Sequence, residues 1–155
     1  MTNNLDLYRK LTSLPLGHFI FNKAVGFVAP FFRKIRPNII ELKPGLCVVK
    51  MKDRWSVRNH IGSINAGALC TLSELTGGLA VDATLPKDLR WIPKKMTVEY
   101  LEKAKGTLEA ICRIEGNTIK EGEIILPISV MNMNNNQEVF RADITFYISK
   151  KKAKS

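Results

Sequence analysis

Residues 59–80 read NHIGSINAGALCTLSELTGGLA, and the parsing of the whole chain turns on this stretch. Ser63 and Asn65 are helix-capping residue types. After them Ala68, Leu72, Leu75 and Leu79 fall on one stripe at about 100° per residue. The spacing predicts a helix over residues 66–81 whose stripe faces a sheet. Glu74 lies about 130° from the stripe, beside Gly67, Cys70, Gly77 and Gly78. A lone carboxylate therefore occupies a small-residue face that another backbone or a narrow ligand can approach. Glycine in a helix interior is less favourable than alanine by roughly 1 kcal/mol, so something close by is expected to use the space. The plainer alternative is that the glycines only permit close packing, with Glu74 solvated at the rim. Asn65 is expected to accept a bond from an early helical N–H, leaving the Ala66 and Gly67 N–H groups to donate outward. Such a helix start stabilises negative charge, including an oxyanion formed by attack on a carbonyl.

Outward from this helix the period changes to two. Upstream, NIIELK and CVVKMK read as strands joined by a turn at Pro44-Gly45. Downstream, MTVEYLE, LEAICRIE, EIILPISVM and VFRADITFYIS alternate, with Met96, Val98 and Tyr100 sharing a face opposite Thr97 and Glu99. Consecutive short turns predict that these four strands run antiparallel. Pro127 requires a bulge or an unpaired backbone site. The first third reads helical: LDLYRKLTSL, then across Pro15 the segment LGHFIFNKAVGFVAPFF, in which Leu16, Ile20, Ala24, Phe27 and Phe31 keep helical spacing. The fold class is α+β, one curved antiparallel sheet with the central helix packed against it, and with extra N-terminal helices. The division is residues 1–36 as a helical extension, 37–150 as the sheet-and-helix domain, and 151–155 as a basic tail.

At 155 residues the chain suits one domain with a real core. Its three cysteines, Cys47, Cys70 and Cys112, lack CxxC spacing, which argues against a disulfide framework or zinc site and fits a reducing cytoplasm. The formal charge of +10 attracts polyanions, be they nucleic acid, anionic lipid or a phosphate-bearing cofactor. No zinc-finger spacing, RNA-binding aromatic motif or zipper favours nucleic acid. The Phe-rich segment holds His18, Asn22 and Lys23 and is shorter than the roughly 20 apolar residues a span needs, so a helix lying on the domain is expected rather than an integral membrane span. A signal peptide is not convincing.

Asn59, Gly62, Asn65-Ala66-Gly67 and Glu74 resemble the N-x-x-G-[ST]-x-H-G-G element, followed by a helix acid, of hotdog-fold acyl-CoA thioesterases. The likeness is to the phenylacetate-pathway type and a related, poorly characterised branch, and it extends over residues 39–149. The resemblance implies a side-by-side homodimer that often pairs into a tetramer, with an acyl-CoA thioester at the dimer interface. It assigns Glu74 as general base or nucleophile, the Ala66 N–H as the group polarising the thioester oxygen, and Asn59 as an orienting group from the partner subunit. Three positions depart from the pattern. Asn65 stands where the family has His, Ala66 replaces the first Gly, and Pro93 takes the place of a water-positioning hydroxyl, the nearest being Thr97.

Arg58, Lys94, Lys95, Lys103 and Lys105 flank the candidate site and suit the phosphates of coenzyme A, which enters as part of the substrate rather than as a resident cofactor. No metal is implied, because the motif segment has no ligand spacing. Cys70 reads as a small buried residue, since a neighbouring carboxylate raises a thiol's pKa, and His60 as a loop histidine without a named partner. Two functions lead, ahead of a hotdog dehydratase and a nucleic-acid binder: thioester hydrolysis, and a non-catalytic module that binds a fatty acyl chain or acyl-CoA. Asn65 and Pro93 favour the second, as does the apolar N-terminal segment, which would lid a lipid tunnel.

Overall fold

Each alternating segment becomes a strand, and the glycine-bearing segment becomes the helix they enclose. The computed structural model describes residues 4–116 and 118–151. Two helices, α1 (Asn4–Thr12) and α2 (Gly17–Val28), and a short 3-10 helix (Phe32–Lys34) precede β1 (Asn38–Lys43) and β2 (Leu46–Met51). The central helix α3 (Ala66–Thr84) follows, then β3 (Leu89–Tyr100), β4 (Leu108–Arg113), β5 (Gly122–Asn132) and β6 (Gln137–Lys150).

The six strands form one antiparallel sheet in the order β1-β2-β4-β5-β6-β3. Hairpins join β4 to β5 and β5 to β6, as the short turns predict. The β3–β4 connection is different: β3 pairs with β6, and residues 101–107 carry the chain across so that β4 lies beside β2. Alternation records which face of a strand is apolar, not which strand it lies beside, so this crossing is invisible in the sequence. Pro127 causes no bulge. Its partner on β6 is Asp143, while pairing with β4 stops at Cys112 opposite Ile128, so Pro127 stands one residue past the end of that ladder.

α3 touches every strand of the sheet. Leu72, Leu75 and Leu79 are buried as their stripe requires, and so are Ser73, Thr76 and Gly77, because the sheet curves around more than one side of the helix. Thr76 returns its hydroxyl to the Leu72 carbonyl at 2.8 Å, whereas the buried Ser73 Oγ has no partner among the described residues. The helix runs past residue 81 to Thr84, whose hydroxyl accepts from the Gly45 N–H at 2.9 Å and ties the helix end to the β1–β2 turn.

α2 lies on the domain as expected, but through a different face. Phe21 is buried edge-on to Tyr8, their ring centroids 5.0 Å apart, and Asn22 clamps β1 by accepting from Ile39 N–H at 2.7 Å and donating to Asn38 at 2.8 Å. The spacing Leu16, Ile20, Phe27 and Phe31 points outward into solvent. This helix is apolar on two sides, and periodicity alone cannot say which side finds a partner. Among the described residues no helix is long and apolar enough to cross a membrane. Most of the basic tail lies outside the described residues; Lys151 itself bonds the Asp88 carbonyl through its N–H at 2.8 Å.

Cys47 and Cys112, distant in sequence, stand opposite one another on β2 and β4 as buried free thiols. Burial pushes the Cys112 thiol up to about 12, and Cys47 higher still. Both are held protonated as small core residues.

Candidate active site

The loop leading into α3 is built by Asn59. Its side-chain oxygen accepts from the N–H groups of Ile61 and Ser63, each at 3.1 Å, and its amide donates to Ser63 Oγ at 2.9 Å. That leaves one amide hydrogen for anything outside the loop. The loop is fixed from both sides: Ile64 N–H reaches Ala104 O at 2.9 Å, and Asn65 N–H reaches Val57 O at 2.8 Å. Asp53 adds a third tie, accepting from Arg58 at 2.7 Å and from the Gly106 N–H at 2.9 Å. The Arg58 hydrogen bond, with help from that N–H, holds the Asp53 carboxyl below the usual carboxylate range despite its partial burial.

Asn65 caps α3, its side chain accepting from Gly67 N–H at 2.8 Å. The expectation that Ala66 and Gly67 both donate outward is therefore corrected, because the cap consumes the Gly67 donor. The Ala66 N–H has no acceptor among the described residues, and Asn65, Ala66 and Gly67 are all exposed. One free donor, backed by the helix dipole of a 19-residue helix, marks the start of α3.

Glu74 is half-buried further along the same helix, and its carboxylate has no hydrogen-bond or ion-pair partner among the described residues. It stands at a narrow, largely apolar cavity of about 160 Å³ walled by Phe21, Val25, Leu75, Leu79 and Trp91. The N-terminal helices thus form one wall of the space beside the candidate carboxylate.

The glycines around Glu74 have occupants from the chain itself. A Cβ on Gly78 would stand 2.8 Å from the Trp91 indole, and one on Gly77 would meet Phe146 and Ile128 at 3.2 and 3.3 Å. Gly77 therefore faces the sheet rather than the site, and Gly78 is the seat of Trp91, which also stacks edge-on with Phe146 at 5.3 Å. The small-residue face accommodates side chains of β3, β5 and β6, with the cavity left between Gly78 and α2.

Cys70, one turn before Glu74, is half-buried with its Sγ 3.9 Å from the Tyr100 hydroxyl. Burial, then the Cys70 contact, raises the Tyr100 pKa. Thr97, by contrast, alternates away from Met96 and Val98, which pack against the core, and so faces away from α3. The hydroxyl that reaches the α3 face is Tyr100, three residues beyond the Pro93-to-Thr97 window in which the sequence pattern seeks it. His60 is exposed in the loop.

The predicted cations do not form one group. Lys94, at the β3 bulge, pairs with Glu123 and lies over the Tyr147 ring at 5.6 Å, so it is committed elsewhere. Arg58 is neutralised by Asp53, which also feels Lys105. Lys95, Lys103 and Lys105 are exposed, the last two on the loop that bonds the α3 entry through Ala104. Among the described residues no group of three His, Cys, Asp or Glu stands together to hold a metal.

The domain of unknown function DUF4442 matches residues 17–148. The chain belongs to this family. A solved structural-genomics protein is 34% identical to this DUF4442 chain, covering 97% of it and 100% of itself, with a TM-score of 0.87. A Pseudomonas aeruginosa protein of unknown function, named a "Probable Thioesterase", is 23% identical over 89% of this chain and 97% of its own, with a TM-score of 0.77. A Haemophilus influenzae thioesterase is 13% identical over 77% of this chain and 82% of its own, at 0.69. At such identities the last two establish the fold, which is that of hotdog thioesterases. No curated protein matches the sequence. The DUF4442 match begins at Gly17, so α2, which walls the cavity beside Glu74, lies within the family's own extent.

Proposed function

We propose that this DUF4442 protein hydrolyses an acyl-CoA thioester at a site completed by a second copy of the chain, in the cytoplasm and without a resident cofactor. The observation that carries the reading is the occurrence on α3 of an exposed Ala66 N–H and a half-buried Glu74 carboxylate, neither with a partner among the described residues, with Glu74 beside an apolar cavity. Within one helix these two positions are separated by ~12 Å of helical rise, more than a glutamate side chain spans. Both act on one carbonyl only if antiparallel α3 helices of two subunits bring one subunit's Ala66 to the other's Glu74. The outer edge of β3, the last strand of the sheet, has no partner strand among the described residues and would supply the pairing that aligns them.

In this reaction the Ala66 N–H takes up negative charge on the thioester oxygen, and Glu74 removes a proton from water or attacks the carbonyl itself. The acyl chain occupies the cavity under α2. Asn59 orients the ligand with its remaining amide hydrogen. The coenzyme A phosphates lie toward Lys103, Lys105 and Lys95, while Lys94 and Arg58 are left to Glu123 and Asp53. A second reading, acyl-CoA binding without turnover, is favoured by one observation: Asn65 is spent on capping and carries no proton.

Free-thiol release from short-, medium- and long-chain acyl-CoAs, with wild type beside Glu74→Gln, tests the proposal. Turnover that falls about 10²- to 10⁴-fold in the variant, with folding intact, supports hydrolysis. Equal turnover removes Glu74 from the chemistry. Tight acyl-CoA binding by a wild type that releases no thiol selects the binding module.

A further inference from the structure

The outward side of α2 has no role in the candidate site. Leu16, Phe19, Ile20 and Phe27 fall within one arc of the helix, opposite the buried Phe21, and Phe31 extends the patch beyond its end. Leu16 is 78% exposed, Phe27 83% and Phe31 70%. So many large apolar side chains presented together to water call for a partner.

The chemistry around the patch says which partner. Between Asp6 and Glu41 the chain has no acidic residue, but it has Arg9, Lys10, Lys23, Arg33, Lys34 and Arg36. A cleft of about 1330 Å³ runs beside α2, lined by Phe19, Lys23, Arg33, Arg36, Lys52 and Arg54 among others. None of these cations, nor Lys34, forms an ion pair among the described residues. Arg36 and Arg54 crowd one another, and burial together with that repulsion disfavours the Arg54 charge, a cost that a bound anion would offset. Lys23 lies over the Phe19 ring at 5.4 Å, so apolar and cationic groups interleave on one surface. An apolar helix face flanked by unpaired lysines and arginines matches the acyl and headgroup layers of an anionic bilayer surface.

We infer that α2 and the 3-10 turn after it form a docking surface for anionic phospholipid membrane, the helix lying in the interface plane with its phenylalanines inserted and the basic cleft against headgroup phosphates. The inference does not depend on thioester chemistry, because the outer arc is distinct from the Phe21 and Val25 side that walls the cavity.

The test is co-sedimentation of the full chain with vesicles of phosphatidylcholine alone and of phosphatidylcholine with phosphatidylglycerol. The wild type, Phe27→Glu/Phe31→Glu and Arg33→Glu/Lys34→Glu are compared, with mass by light scattering and circular dichroism alongside. The expected result is binding to the anionic vesicles, weakened by salt and lowered at least about tenfold on neutral vesicles and in each double variant, with mass and fold unchanged. Three outcomes overturn the inference. The wild type does not bind anionic vesicles; the phenylalanine variant binds as well as wild type; or that variant loses assembled mass, which would make the patch a contact between copies of the chain.

Discussion

Ala66 permits a test that removes one hydrogen-bond donor and little else. It is the first residue of α3, where proline is tolerated because its ring already has helical φ and its missing N–H has no intrahelical partner. Asn65, which would precede the proline, has φ −66° and ψ 140°, the extended conformation that a following proline requires. Ala66→Pro should therefore leave the thermal unfolding midpoint close to wild type while lowering kcat about 10²- to 10³-fold, the usual effect of deleting one oxyanion donor. A variant that unfolds alike and turns over alike would take Ala66 out of the mechanism. The sequence pattern nominated Ala66 and Glu74, and it counted Gly67 as a second donor. Asn65 is both a capping type and the neighbour of two donors, and only its side-chain conformation shows which one it takes.

At the scale of elements, two contacts position the candidate site. Asp53 ties the α3 entry loop to the β3–β4 connection through Arg58 and Gly106. Its folded pKa lies below the unfolded value of about 3.9, so folding favours the ionised form. The stability it contributes is complete above the unfolded pKa and lost as pH falls through the folded one. Asp53→Asn should thus be less stable than wild type at neutral pH, with the two converging in acid, as measured by urea unfolding across pH. A constant difference down to the acid limb would contradict that linkage. The second contact is Trp91 against Gly78, which closes one side of the cavity. Trp91→Ala should shift acyl-CoA preference toward longer chains, read as the ratio of kcat/KM for long and short thioesters, at a stability cost of about 3–5 kcal/mol. An unchanged ratio would mean that the acyl group lies elsewhere.

For the whole molecule, the consequence of the strand order is an open edge. β3 presents 12 residues of one-sided backbone, and much of it, including Ile92 and Tyr100, is exposed. Long edges of this kind are covered in stable proteins. Light scattering should give a mass of at least twice 17.5 kDa, and dilution that yields the protomer should abolish turnover, because the proposed site needs two α3 helices. An active protomer would refute the shared site.

The sequence by itself determined the local elements, because hydrophobic period, capping residues and turn residues act over a few positions. The helix that begins at residue 66, read as far as 81, and the strands that enclose it follow from that information, as does the placing of Glu74 among small residues. Tertiary structure alone decided what those residues touch. Gly77 and Gly78 read as space for a visitor, but their space is taken by Phe146, Ile128 and Trp91, distant side chains brought there by the curve of the sheet. The stripe Leu16, Ile20, Phe27 and Phe31 reads as a buried face, but α2 settles on Phe21 because Tyr8 and Asn22 find partners on that side. Nor does any local rule take β3 past β4 to the far edge of the sheet. Burial, neighbour and register are properties of the assembled sheet, and a periodic pattern specifies a face without naming what will cover it.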